Sequence, residues 1–468
     1  MRKDYIESLL SGVSIIPSVL SVNLVGSYFE KQLEDISDID FVIVVKKLDR
    51  EIYDYILNYF KKFDHKKFLG NYEIQINSSF GPLKIYDDKL IILHIMIYDI
   101  DGHVEHVINS PFTCFDWERT ENFKLNKLNK LFPVGRLMLN DFLNARRGVV
   151  DYKNDINKNQ LSIREYNFEN QSNYAISKKY IELDSIHLTE YTYHIVKNLL
   201  NNYVKFLLNI NELEKIDDEN YSKHLGLTYT KYKEKIYEIK NRKDTRSPST
   251  KKDVTWVSEF LDEFYRKTEF IYQDSTKLIF IRHAKTKSNN LPIFFGTKNN
   301  SEIINKDKVK SRYEKYTCYT SPSIRAKQTV TKYGFDNFTE SELLSEIDYG
   351  KAEGMLFDEF KENYSEIVRK WSEKEDPRFP EGENNYDVSL RVEKFLNSTK
   401  FSDSFIVTHQ VFLRCLFGKL FNMPIHLWYL INIPHNTPLE VIKINNTYYP
   451  NISRSMFKVM FKNFIYQD

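Results

Sequence analysis

Glycine is scarce in this sequence. Its 468 residues include 14 glycines, about 3% where roughly 7% is usual, and 13 prolines. Collagen-like repeats, Gly/Ser-rich low complexity and propellers built on periodic glycine are therefore disfavoured. Each glycine that remains is expected where a side chain has no room. Cysteine is scarcer still: Cys114, Cys318 and Cys415 lie far apart, in no metal or redox spacing, and free thiols in a reducing cytoplasm are expected. Neither sign of charge is in excess. With Lys+Arg at 67 and Asp+Glu at 65 the formal charge is +2, which provides no footprint for nucleic acid or a membrane surface. No stretch reaches the ~18 apolar residues of a membrane span, and no signal-type apolar block follows the early Lys and Asp. The expectation is a soluble cytoplasmic protein; the sequence carries no signal for its oligomeric state.

What is present is apolar and aromatic: 41% hydrophobic and 15% aromatic residues, enough to fill cores and too many for a disordered chain. The length calls for two or three domains. Residues 20 to about 130 carry short apolar runs, SVNLVGS, DIDFVIVV, YEIQIN and KLIILHIMIYD, with a helical segment whose Ile52, Tyr55, Ile56 and Phe60 recur at helical spacing. From 131 to 273 the strand signals fade, and long amphipathic helices begin near Thr189, a plausible N-cap, and near Thr255. The charged stretch 241–254 reads as an interhelical loop. From 274 to 468 strands and helices alternate again.

The last region concentrates chemistry at strand ends. KLIFIRHAKTKSNN delivers Arg282 and His283 at the end of an apolar strand, where open α/β sheets place ligand groups. A guanidinium forks two phosphoryl oxygens, and a neutral imidazole can attack phosphorus. YTSPSIRAKQT supplies Ser321 and Arg325, LLSEIDYGKAEG supplies Glu346 with Gly350 and Gly354, FPEGENN is a turn at Gly382, and FIVTHQ brings His409 to a second strand end. In order and spacing these segments resemble the histidine phosphatase superfamily, whose patterns are RHG with a following Asn, SPxxRAxQT, LxExxxGxxEG, PxGES and a strand ending in SHG.

That resemblance implies a three-layer α/β phosphatase domain in which His283 becomes phosphohistidine. Arg282, Arg325 and His409 would surround the phosphoryl oxygens, Asn289 would lie on the phosphate side, and Glu346 would protonate the leaving oxygen and then deprotonate water. It implies a small-molecule phosphate ester as substrate and no metal. Glu383 is expected to brace the turn at Gly382. The departures are Ala284 and Lys285 after the first histidine and Gln410 after the second; Gln410 is expected to contact substrate. The absence of a mutase-type insertion favours phosphatase over mutase.

Near the N-terminus, Gly26-Ser27 follows an apolar strand, and ten residues later Asp38-Ile39-Asp40 enters a second one. Strand alternation sends Asp38 and Asp40 to one face, and two adjacent carboxylates repel unless a cation lies between them. This G-S-x10-D-x-D pattern resembles the DNA polymerase β-like nucleotidyltransferases. The resemblance implies Mg²⁺ on Asp38 and Asp40, NTP phosphates against Gly26 and Ser27, and a helical bundle behind. The third carboxylate of that family falls on a strand that here presents His94 at its centre; Asp99 and Glu73 are the alternatives. DGHVEH (His103, Glu105, His106) reads as a polar turn rather than a metal site. Arg146 and Arg147 read as a helix C-terminal cap, with a grip on NTP phosphates as the alternative.

The expected fold class is thus multidomain: an α/β nucleotidyltransferase domain over 1–130, an all-α helical bundle over 131–273 and an α/β three-layer histidine phosphatase domain over 274–468. Two functions compete. One is a bifunctional enzyme joining phosphomonoester hydrolysis to Mg²⁺-dependent nucleotidyl transfer; the other is a phosphatase controlled by an inactive nucleotide-binding domain.

Overall fold

In the computed structural model the described residues are 2–25, 38–78, 90–109, 122–125, 128–131, 149–208 and 218–464. The chain divides into two compact units, the first running to Phe270 and the second from Ile271. No helix among the described residues is long and apolar enough to cross a membrane.

The first unit contains a five-stranded mixed sheet. Its strands are β1 (Val19–Val25), β2 (Asp38–Val45), β3 (Glu73–Asn77), β4 (Leu90–Asp99) and β5 (Asn122–Leu125), in the order β3-β4-β2-β1-β5. β2 and β4 pair in parallel and are nearly continuous apolar runs, as strands covered on both faces must be. The helix Arg50–Lys62 starts at Asp49, whose Oδ1 accepts from the Ile52 N–H at 2.9 Å. It buries Ile56, Leu57 and Phe60. Tyr55, which shares their spacing in sequence, is 59% exposed because it lies one residue step outside that stripe.

Four local expectations in this unit are corrected. The stretch 131–273 is not all helix: Gln160–Phe168 (β6) and Tyr174–Glu182 (β7) form an antiparallel hairpin. The strand signal is hidden because β7 has no buried residue and β6 buries only Leu161, Ile163 and Tyr166. Aromatic pairs anchor the hairpin instead, with Tyr166 4.9 Å from Tyr174 and 5.6 Å from Tyr53 between ring centroids. The Tyr166 hydroxyl donates to the Ile97 carbonyl of β4 at 2.6 Å.

Thr189 is not an N-cap. The helix Ser185–Leu208 is capped by Asp184, whose Oδ1 accepts from the N–H groups of Ile186 and His187, both at 2.9 Å. Buried Thr189 lies one turn in and donates to the Ser185 carbonyl. DGHVEH is not a turn but most of the helix Ile100–Asn109, started by Asp99, whose Oδ1 accepts from the Gly102 N–H at 2.7 Å. His103 is fully buried on its inner side. The interhelical loop expected over 241–254 lies between the helices Leu227–Asp244 and Lys251–Asp274 and is shorter than anticipated. Arg146 and Arg147 lie outside the described residues.

The second unit is a six-stranded sheet with helices against it. β8 (Thr276–Arg282), β9 (Thr317–Thr320), β10 (Thr339–Glu340), β11 (Ser404–Thr408), β12 (Pro438–Ile444) and β13 (Thr447–Asn451) follow the order β10-β9-β11-β8-β12-β13. The first four are parallel to one another, and β12 and β13 run antiparallel at one edge. Ile279, Ile281, Phe405 and Val407 of the central strands pack against Ala326, Val330, Tyr333 and Phe335. This core fixes the carboxyl ends of β8 and β11 side by side.

Candidate active site

The strand ends build the site. β8 and β11 pair in parallel so that Arg282 lies opposite Thr408, and the His283 N–H donates to the Thr408 carbonyl at 3.0 Å. His283 and His409 therefore leave adjacent strands together, with ring centroids 5.2 Å apart. His283 is 2% exposed. Its Nδ1 is 2.8 Å from the Ala284 carbonyl; a carbonyl only accepts, so Nδ1 carries the proton and Nε2 the lone pair. Burial, with Arg325 and Arg282 beside it, holds the imidazole well below the usual histidine value. The ring is a neutral imidazole with its lone pair on Nε2.

Cations surround that ring. Arg325, in the helix Ile324–Lys332, is completely buried. Its two terminal nitrogens donate to the carbonyls of Gly296 (2.9 Å) and Asn299, and its guanidinium lies 4.4 Å over the Phe295 ring. Arg282 donates through Nη1 to the Ile433 carbonyl at 2.9 Å, and burial pulls its guanidinium down to about 10, still charged at neutral pH. His409 Nε2 lies 2.8 Å from Ser321 Oγ. Burial, then Arg325 and His283, hold its ring well below the usual value. Three nitrogens here are buried with no hydrogen-bond partner among the described residues: Arg282 Nε, Arg325 Nε and His409 Nδ1. Unpaired buried guanidinium donors are costly, and the two arginine Nε groups beside one neutral imidazole make a cradle for an anion.

Glu346 completes the set. It is 6% exposed, and its carboxylate accepts from three backbone N–H groups, Ile347 (3.1 Å), Gln410 (3.1 Å) and Val411 (3.0 Å). The last two begin the helix Gln410–Leu420, whose N-terminal end favours a negative charge. Glu346 shares a cavity of about 450 Å³ with Arg325, His409, Ser321 and Ser323. Behind it, Arg391 forms a bidentate pair with Glu383, both bonds 2.8 Å, and donates to the carbonyls of Leu343, Ser345 and Glu346. Glu383 also accepts from the Asp348 N–H at 3.0 Å. Gly350 has φ +57°, and a Cβ there would meet the Pro380 carbonyl at 2.1 Å, so the turn admits no side chain.

The structure thus gathers Arg282, His283, Arg325, Glu346 and His409. Asn289 is placed differently. Its Oδ1 accepts from the Thr286 N–H and hydroxyl, both at 2.9 Å, capping the turn Lys287–Asn290; of the six, Arg325, Glu346 and His409 line the cavity, and Arg282, His283 and Asn289 do not. Gln410 is the first residue of its helix and reaches Glu346 through its backbone. Gly26 and Ser27 lie outside the described residues. Asp38 opens β2, and Asp40 lies opposite His94 on β4, with His94 Nδ1 3.0 Å from Asp40 Oδ1. Of the other third-carboxylate candidates, Asp99 accepts from Tyr174 and Gly102, and Glu73 is exposed at the far end of β3. Among the described residues no group of three or more His, Cys, Asp and Glu could hold a metal. A carboxylate joined to an imidazole falls short of the oxygen set that Mg²⁺ prefers.

Sequence reasoning missed Arg414 and Arg391. Arg414 follows Gln410 by one helical turn, and this spacing is the signal that was available. It lines a second cavity of about 450 Å³, with Phe294, Tyr349, Trp371, Phe379 and Tyr429 as its aromatic wall. Its Nε donates to the Ile431 carbonyl at 3.0 Å.

Comparison with known proteins matches residues 278–451 to the family model of the histidine phosphatase superfamily (branch 1). A probable fructose-2,6-bisphosphatase of Schizosaccharomyces pombe is 30% identical over 138 residues, covering 29% of this chain and 33% of the relative. The fructose-2,6-bisphosphatase of Saccharomyces cerevisiae is 28% identical over 127 residues, covering 27% of this chain and 28% of the relative. The match thus spans a third or less of these relatives. Among solved structures, the alpha-ribazole phosphatase of Shigella flexneri aligns at a TM-score of 0.32 and 19% identity, covering 38% of this chain and 97% of that one. The C-terminal region of this chain is a member of the histidine phosphatase superfamily.

Proposed function

We propose that residues 274–468 hydrolyse a small-molecule phosphate ester through a phosphohistidine at His283, without a metal. The observation that carries this reading is the neutral imidazole ringed by three buried, unpartnered nitrogens, Arg282 Nε, Arg325 Nε and His409 Nδ1. His283 Nε2 attacks phosphorus, the bond to the ester oxygen breaks, and that oxygen takes a solvent proton relayed through Glu346 Oε2, the carboxylate oxygen that accepts a single backbone N–H. Water then attacks the phosphohistidine and passes a proton to Glu346; the P–N bond breaks, its electron pair returns to Nε2, and phosphate leaves. The cations offset charge that grows on the phosphoryl oxygens. Two relatives carry the name fructose-2,6-bisphosphatase. A second phosphate on the substrate would find a cation at Arg414, which lines the second cavity among aromatic walls. His283→Ala should abolish hydrolysis of p-nitrophenyl phosphate, and wild-type activity in that variant overturns the assignment. Arg414→Met should raise KM for a sugar bisphosphate and leave p-nitrophenyl phosphate unaffected.

For the N-terminal region we propose nucleotide binding at the Asp38/Asp40 edge of β2, within a division into 1–130, 131–273 and 274–468. The Asp40–His94 pair favours a non-catalytic nucleotide-binding domain that controls the phosphatase over Mg²⁺-dependent nucleotidyl transfer to a small acceptor. NTPs with Mg²⁺ should alter the phosphatase rate without release of pyrophosphate. Pyrophosphate release that Asp38→Ala and Asp40→Ala abolish would establish the transferase instead.

A further inference from the structure

The peptide that joins His283 to Ala284 is held at both ends by side chains from elsewhere in the fold. Its carbonyl, on His283, lies 2.8 Å from His435 Nδ1. Because that oxygen only accepts, Nδ1 carries the proton. Its N–H, on Ala284, donates to the Thr329 hydroxyl at 2.8 Å, and that hydroxyl donates onward to the Arg325 carbonyl at 2.7 Å. Thr329 is completely buried. His435 stands just before β12, bridged in parallel to Arg282, and the Asn436 N–H donates to the Arg282 carbonyl at 2.9 Å. The His435 ring also meets the His283 ring edge-on, with centroids 5.3 Å apart at 65°.

We propose that His435 and Thr329 are positioning residues for the nucleophile, clamping the 283–284 peptide so that the His283 ring keeps one tautomer and one direction. The proposal rests on the phosphohistidine reading of His283. The physical link is short. The next carbonyl, on Ala284, accepts the His283 Nδ1 proton, and its direction follows from how the 283–284 peptide plane is turned. If that plane rocks, Ala284 O swings away, Nδ1 loses its acceptor, and the lone pair no longer stays on Nε2. Thr329 also ties this plane to the helix that carries Arg325, so nucleophile and phosphate-binding guanidinium share one support. Neither residue needs to touch substrate.

The test uses the full chain with p-nitrophenyl phosphate and rapid-quench measurement of the phosphoenzyme. Thr329→Val keeps the shape and removes the hydroxyl; His435→Phe keeps a ring and removes the donor. Each should lower kcat and the rate of phosphoenzyme formation by about 10–100-fold, the scale of a small misplacement of reacting groups, with KM within about twofold of wild type. Thr329→Ser and His435→Asn, which restore a hydroxyl and an N–H near the same points, should return kcat to within about threefold. ¹⁵N shifts of His283 should report one tautomer in wild type and a mixture in Thr329→Val. Should Thr329→Val fail to fold, half-buried His435 carries the comparison alone. Disruptive variants within about twofold of wild type, or conservative variants as impaired as the disruptive ones, overturn the clamp. A wild-type enzyme that forms no phosphohistidine overturns the reading beneath it instead, so the two failures are distinguishable.

Discussion

Burying His283 and His409 as neutral rings makes the second unit sensitive to acid. Both are nearly inaccessible, at 2% and 1%, and both are held well below the ordinary histidine value, by burial first and then by Arg325. In the unfolded chain each titrates near ~6.5. The unfolded state therefore binds protons that the folded state refuses as the pH drops through that value. Stability present above pH ~6.5 is lost on acidification, by at most about 2 kcal/mol per imidazole between pH 7 and pH 5, the bound set by the unfolded-state value, or at most about 4 kcal/mol for the pair. His435, lowered to about 4, and His426 push the same way, so the comparison must isolate the pair. Of the four tryptophans, Trp117→Phe and Trp256→Phe leave Trp371 and Trp428 as reporters within the second unit. Urea unfolding at pH 7 and pH 5 is then compared with the same background carrying His283→Gln and His409→Gln. The acid loss should shrink, by up to about 4 kcal/mol, in the double glutamine variant. Parallel losses within about 1 kcal/mol would mean that the fold does not hold these two imidazoles neutral.

Other outcomes follow from single contacts. Gly350→Ala forces a Cβ onto the Pro380 carbonyl at positive φ and should destabilise the second unit by about 3 kcal/mol in urea unfolding. Arg391→Ala leaves the Glu383 carboxylate and three carbonyls without their donor; it should cost about 3 kcal/mol and lower kcat, because the segment carrying Glu346 loses its brace. Asp184→Ala removes the cap of the helix Ser185–Leu208 and should cost about 1 kcal/mol by the same measurement, with phosphatase activity unchanged.

How much of this could be read in advance depends on which signals are local. β2, β4, β8 and β11 are apolar runs bounded by polar residues, and such runs declare themselves. The phosphatase region was legible because its strand ends and turns carry chemically unusual residues in order, Arg282-His283, Ser321 to Arg325, Glu346 and His409. The hairpin β6–β7 was not, since aromatic contacts to Tyr53 and Ile97 hold it rather than an alternating face. Asn289 illustrates a different limit: an Asn two residues into a turn caps a backbone as readily as it meets a phosphate, and only the positions of the Thr286 N–H and hydroxyl distinguish the two. His435 and Thr329 acquire their roles from partners far along the chain. No local pattern encodes them.

The central claim is that His283 becomes phosphorylated during turnover. The most direct measurement is rapid-quench labelling with a ³²P-phosphomonoester at alkaline pH, followed by peptide mapping. An alkali-stable, acid-labile label is expected on the peptide containing His283, formed as fast as turnover requires and absent from His283→Ala. A label on another residue, or full turnover with no covalent phosphate at any time, would contradict it.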